Sequence, residues 1–160
     1  MTKPLAACSK CKGEMSPMVH EPFHGEEGGL RLTLTDMPYA ACAQGHKRFL
    51  SLSFSAQLMD LVADPDTYRD LPSAVRKGLL MKRYHCPACG QELPSAPSGR
   101  RALEVPAQIA KATPFRVAID VPVFKCDGCG KESIHSAEAT GNLALKATGH
   151  AFRTADVHPT

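Results

Sequence analysis

The sequence predicts a small α+β protein made of two tandem units of one kind, each a β-hairpin between cysteine turns followed by short helices. Three observations lead there. Thirteen Pro and twelve Gly among 160 residues cut the chain into short pieces, which argues against one large continuous core. Aromatic residues make up only 6% and Trp is absent, while seven cysteines are present. Small pieces with thin cores need disulfides or metal to stay folded. Finally, the cysteines recur in a pattern that repeats between the two halves.

Composition narrows the setting. An apolar fraction of 43% is that of a folded protein, and this length suits one ordinary domain or two small ones. No apolar run follows the opening Met-Thr-Lys-Pro, so no secretory signal is expected. No stretch nears the ~20 apolar residues of a membrane helix. The expectation is a soluble, cytoplasmic protein with no membrane partner, and in a reducing compartment paired cysteines read as metal ligands before disulfides. The net charge of +3 permits contact with nucleic acid without arguing for it.

The cysteines form three C-x-x-C pairs, Cys8/Cys11, Cys86/Cys89 and Cys126/Cys129, with Cys42 left over and His46 four residues beyond it. Offsetting the halves by 84 lays T-D-M-P-Y-A-A-C (35–42) on I-D-V-P-V-F-K-C (119–126), so that Asp36, Pro38 and Cys42 match Asp120, Pro122 and Cys126. The strand-like segments before them, L-R-L-T-L (30–34) and F-R-V-A-I (115–119), alternate with period two but lie one residue out of register with that offset. The first pairs differ by 78, which leaves the second copy a loop six residues longer. The pattern is an internal duplication: knuckle, hairpin, strand, D-x-P, knuckle.

A C-x-x-C turn sets two sulfurs about 3.5–4 Å apart, one edge of a tetrahedron around zinc with Zn–S bonds of about 2.3 Å. Two such turns brought together by a hairpin complete four-coordination. The second centre is therefore predicted as Cys86, Cys89, Cys126 and Cys129, with Gly90 and Gly130 suited to positive φ after the second cysteine of each turn. The first is predicted as Cys8, Cys11, Cys42 and His46, although His46 lies one residue past the position the duplication points to, which Gly45 holds. His20 and His24 stand in reserve as fourth ligand, and Cys42 could instead be a small buried hydrophobe in a degenerate site. The count favours two zinc ions, because seven cysteines and one histidine fill two sites with none left over.

The elements follow in order. Residues 1–54 form the first ribbon, with three cysteines and one histidine. Residues 55–84 are a helical connector. Its first helix, over 55–64, has Ser55 as N-cap, Leu58, Leu61 and Val62 on one face, and Asp64-Pro65 as stop. Its second runs from about Asp70 towards Arg83, with Pro72 in the first turn. Residues 85–135 form the second ribbon with four cysteines, and S-A-P-S-G-R-R (95–101) is a loop or hairpin tip. A C-terminal helix over 136–147 then leads into a tail, to 160, that has little reason to order itself beyond about Thr154.

V-P-V-F-K-C-D-G-C-G-K-E (121–132), preceded by the C-P-A-C-G knuckle and a hydrophobic strand, resembles the YgiT-type zinc finger, the metal-bearing ribbon of MqsA-like antitoxins. The resemblance covers about residues 84–136 and, with a histidine replacing a cysteine, extends more loosely over 6–52. It implies structural zinc and a ribbon that contacts another protein. Those antitoxins read DNA through a separate helix-turn-helix, and no such pattern stands out here.

Three functional classes follow. The first is a non-enzymatic zinc protein whose closed sites serve folding and present a surface to another protein. The second is a nucleic-acid binder using Lys10, Lys12, Lys47, Arg48, Lys125 and Lys131 around the knuckles and Arg76, Lys77, Lys82 and Arg83 between them. Four thiolates around zinc leave about −2 of charge, for which such lysines are counter-charges, and only Phe49, Tyr84 and Phe124 stand near as stacking platforms. The third is a zinc hydrolase centred on H-E-P-F-H (20–24), which spells the H-E-x-x-H signature. Pro22 opposes the helix that signature needs. On an extended strand, His20 and His24 lie roughly 13 Å apart.

Overall fold

The computed structural model describes residues 4–159. Residues 1–3, on which the expected absence of a leader partly rests, and Thr160 lie outside it. Along the chain, β1 (Met15–Val19) leaves the first cysteine pair, and β2 (Phe23–Glu27) and β3 (Leu30–Thr35) form a hairpin around Gly28 and Gly29. β4 (Pro38–Cys42) and β5 (Lys47–Arg48) flank the Cys42 turn, and α1 (Leu52–Ala63) precedes a 3-10 turn at Pro65–Tyr68. β6 (Val75–Lys77) and β7 (Arg83–His85) make a second hairpin, and β8 (Gly99–Ala107) and β9 (Phe115–Lys125) a third. β10 (Glu132–Ser133), α2 (Ala137–Ala155) and β11 (Val157–His158) complete the described chain.

The fold is a small α+β structure, and several elements differ from those the sequence predicts. α1 starts nearly a turn early because Ser51, not Ser55, is the N-cap: its Oγ accepts from the Phe54 amide at 3.1 Å. Ser55 instead donates to the Leu52 carbonyl. Starting at Ser51 brings Phe54, Leu58 and Val62 onto one buried face. Asp64 ends the helix as predicted and accepts from the Asp66 amide in the next turn. The helix predicted from Asp70 towards Arg83 does not form. The connector is helical only to Tyr68, after which Gly78 at φ +121 closes the β6–β7 hairpin. α2 is longer than predicted, running 19 residues from an N-cap at Ser136 to a left-handed Asp156. The tail is ordered too, since β11 pairs in parallel with β5 and Val157 is buried.

β3 lies between β2 and β9, antiparallel to both, and β8 runs along the other edge of β9. A second sheet has the order β1-β4-β5-β11. β3 and β4 are consecutive yet belong to different sheets. The switch is made at Asp36, whose φ of +62 turns the chain, whereas β9 passes through Asp120 and Pro122 unbroken. The one-residue slip between the halves therefore lies here. Thr35 separates Leu34 from Asp36 at the bend, while Ile119 adjoins Asp120 directly.

One core draws on both halves, although the punctuated sequence argues against a large continuous one. Leu32 and Leu34 of β3, Val117 and Ile119 of β9, Phe54 and Leu58 of α1, and Ala144 and Ala147 of α2 all belong to it. Two glycines that read as breaks are contact points between elements. A Cβ on Gly25 of β2 would lie 2.0 Å from the Ala147 carbonyl oxygen, and one on Gly141 2.4 Å from that of Ala63. α2 thus lies directly against β2 and the end of α1. Its 19 residues span about 28 Å. It starts just after the last cysteine turn and ends beside Lys47, next to the first centre.

Candidate metal centres

Each cysteine turn is closed by a pair of backbone hydrogen bonds. At Cys8 the Lys12 amide donates to the Cys8 carbonyl at 2.8 Å and the Cys8 amide to the Gly13 carbonyl at 2.9 Å. The same pair recurs at Cys86, with Gly90 and Gln91, and at Cys126, with Gly130 and Lys131. In all three turns the residue after the second cysteine has positive φ: Lys12 at 63, Gly90 at 81 and Gly130 at 76. The Cys42 turn is one residue shorter, since Gly45 donates to the Cys42 carbonyl and the Cys42 amide to the His46 carbonyl. Gly45 holds the left-handed corner at φ +85. The left-handed residue thus arrives one position early, and the donor side chain follows it instead of preceding it.

The structure gathers the eight predicted residues into two groups. In each group the donor atoms all lie within 4.8 Å of one another: Cys8, Cys11, Cys42 and His46, and Cys86, Cys89, Cys126 and Cys129. In the first, His46 Nδ1 lies 3.5 Å from Cys8 Sγ and 3.4 Å from Cys42 Sγ, and the Cys11 and Cys42 sulfurs are 3.7 Å apart. In the second, Cys86 and Cys129 are 3.6 Å apart, and Cys89 and Cys126 3.4 Å. Zn–S bonds of about 2.3 Å imply tetrahedral edges of about 3.8 Å, so the donor separations suit a tetrahedral ion. Both groups could hold a metal.

Backbone amides prepare the thiolates. The Cys11 amide lowers the Cys8 thiol from its ordinary value to about 6, against opposing desolvation. The Cys89 amide does the same for Cys86, also to about 6, and the Cys129 amide lowers Cys126. Cys89 receives the Gln91 amide, which lowers it, but the sulfur of Cys126, burial and the remaining sulfurs together raise it to about 11. Four sulfurs crowded together cannot all ionise without a cation among them.

The other residues singled out in the sequence lie elsewhere. His20 is buried between Phe23 and Tyr39, and both its ring nitrogens are engaged. Nδ1 donates to the Glu21 carbonyl at 2.7 Å, and Nε2 accepts from Lys47 Nζ at 3.0 Å. It therefore offers no lone pair to a metal. His24 is exposed on β2, and the structure brings neither reserve histidine to the three cysteines. The two instead line an open cleft of about 570 Å³ that also includes Lys47 and His150. Sequence reasoning missed His135. It stacks face to face between Tyr84, with ring centroids 3.8 Å apart, and Phe124, at 4.0 Å, beside the second group. Its place just after β10 gave no sign of this.

No protein-family model matches the chain, and no curated protein or solved structure matches it either. Among the described residues no helix is long and apolar enough to cross a membrane.

Proposed function

We propose that this chain is a non-catalytic zinc protein in which two structural zinc ribbons, related by internal duplication, form a rigid scaffold that recognises another protein. The observation that carries the reading is the sorting of all seven cysteines and His46 into two four-donor groups, each drawn from two turns. Thiolate and imidazole donors at tetrahedral separations suit zinc. Four protein donors per ion leave no open position for water or substrate, the arrangement that serves folding. The resemblance of 121–132 to the YgiT-type finger supports both the ribbon and the protein contact.

Several cationic and aromatic groups that nucleic acid would need are otherwise occupied. Lys47 bonds to His20 and to the Ala155 carbonyl, Arg48 to the Ala6 carbonyl, and Arg83 to Glu92. Phe49 and Phe124 are buried, and Tyr84 has one face on His135. These facts favour a protein partner. The test is native mass spectrometry with metal analysis of the full chain, paired with affinity purification from its source cell. Two zinc ions per chain and one stoichiometric protein partner are expected. Fewer than two ions would overturn the metal reading. Recovery of nucleic acid, released steeply by salt, would overturn the partner reading.

A further inference from the structure

The β6–β7 hairpin carries side chains for which the fold has no use. Leu79 and Leu80 are each 99% exposed and Met81 71%. Single exposed apolar residues need no explanation, but a contiguous, fully solvated run does. The turn that presents them is well formed. Gly78 takes φ +121, and a Cβ there would meet the Met81 carbonyl oxygen at 2.2 Å, so the loop folds back tightly on its own backbone. β6 and β7 form a two-stranded sheet of their own. The base of the hairpin is fixed: Tyr84 stacks on His135, Ser73 bridges to Ile134, and His85 bridges to Glu92 and leads directly into Cys86.

Charge is arranged around this tip. Lys77 and Lys82 flank the apolar run, and Arg76 and Arg83 stand next to them on the two strands, all four exposed. Arg83 is paired with Glu92 at 3.0 Å, whereas Arg76, Lys77 and Lys82 have no acidic partner among the described residues. At about 3.3 Å per strand residue the cations stand roughly 3–7 Å behind the tip. That order, apolar groups foremost and cations behind them, matches the layering of an anionic membrane surface, where phosphates lie above the acyl boundary.

We propose that this hairpin is a membrane-docking finger: Leu79, Leu80 and Met81 enter the interface of a bilayer containing anionic lipid, while Arg76, Lys77 and Lys82 pair with lipid phosphates. The sequence led to the expectation of no membrane partner because it was searched for a spanning helix. Peripheral docking needs only a short apolar tip and a cationic collar. Nucleic acid fits this tip less well, because three aliphatic side chains at its apex offer no ring to stack on a base. A protein pocket would have to be both apolar in its depth and acidic all round its rim. The finger goes beyond the scaffold reading, and its vesicle test reads the same whether or not a protein partner is found.

The test uses the full chain with vesicles of phosphatidylcholine alone or mixed with phosphatidylserine. Sedimentation with the mixed vesicles only, weakened by salt, is expected. Leu79→Ser/Leu80→Ser should weaken that binding at least about tenfold, and each of Lys77→Glu and Lys82→Glu about fivefold or more. The chain has no Trp, so Leu80→Trp places a single tryptophan at the tip, excited apart from the tyrosines. Its emission should shift to the blue on mixed vesicles. Binding without that shift, no binding to mixed vesicles, or binding unchanged in the serine double variant would each overturn the proposal. So would retention of a DNA duplex or an acidic protein, but not of vesicles, through the same residues.

Discussion

The two cysteine centres share one backbone turn but are set into different surroundings. Each centre buries two of its cysteines, Cys8 and Cys42 or Cys86 and Cys126; at the first the other two residues are half-buried, and the group adjoins the sheet of β1, β4, β5 and β11. That sheet holds the end of α2: Lys47 donates to the Ala155 carbonyl, the Phe49 amide to the His158 carbonyl, and Phe49 packs edge-on against Phe152. At the second, Cys89 and Cys129 are exposed, and the neighbours are the isolated β6–β7 hairpin and the Tyr84–His135–Phe124 stack. One centre is therefore tied into the closure of the core, while the other organises a lobe at the end of β9. If so, emptying the first should disturb residues far along the chain, and emptying the second should act locally.

The largest effect tests that difference directly. Cys8→Ser/Cys11→Ser and Cys86→Ser/Cys89→Ser are each expected to abolish one metal site, where zinc in small finger peptides is worth about 10–16 kcal/mol. Hydrogen exchange should then separate them. Loss of the first centre speeds exchange at 147–158 as well as near the knuckle, whereas loss of the second confines it to about 73–95 and 126–135. Equal spread in both variants would dissolve the contrast. Next in size is His46→Ala, which leaves three donors at the first centre and should weaken metal there by roughly a hundredfold or more. The second centre should be untouched. A variant that still holds two ions at limiting zinc would show that His46 is not a ligand.

In acid both centres should weaken, because each holds a thiol near 6, Cys8 or Cys86, through the amide of its partner cysteine, and the second centre also has Cys126 lowered. A folded value below the ordinary one means the ionised form stabilises the fold. That contribution is complete above the ordinary thiol value and is lost as pH falls towards 6. The low-pH step in the thiolate absorbance of the reduced, metal-free chain should have its midpoint near pH 6, and should shrink in Cys8→Ser or Cys86→Ser. A midpoint at the ordinary thiol value would remove the claim that the amides prepare these sulfurs.

The grouping of these eight residues was legible because a C-x-x-C turn is local: its spacing alone sets two sulfurs on one tetrahedral edge, and the order of the turns along the chain suggested which to pair. His46 was legible by count, whereas the reason it follows Gly45 is a shortened turn visible only in backbone geometry. The hairpin at 75–85 was read as helix because Pro72 is tolerated in a first turn and Gly78 was taken as a weakness instead of a corner. The order of the tail could not be read at all. Two residues carry no periodicity, and Val157 is ordered by β5, more than a hundred residues earlier in the chain. Gly25 and Gly141 misled in the same way, since closeness to another element leaves no local mark.

Smaller effects test whether the turns are equivalent. Gly45→Val and Gly90→Val both place a branched side chain at positive φ, at +85 and +81, with nothing within 4 Å. Only backbone strain operates, so each should lower stability by a similar amount, about 1–2 kcal/mol. Lys12 is the converse case, the one left-handed corner of the four turns that is not glycine. A Cβ in that region costs about 1–2 kcal/mol, and glycine returns about 0.5–1 kcal/mol of that through the greater freedom of its unfolded chain. Lys12→Gly should therefore raise the stability of the metal-loaded protein by about 0.5 kcal/mol, a small upward shift in its unfolding midpoint. The Lys12 amide still donates to the Cys8 carbonyl after the change, so the turn keeps its closure. If the midpoint drops instead, the Lys12 side chain contributes more to the first centre as a counter-charge than its backbone strain costs.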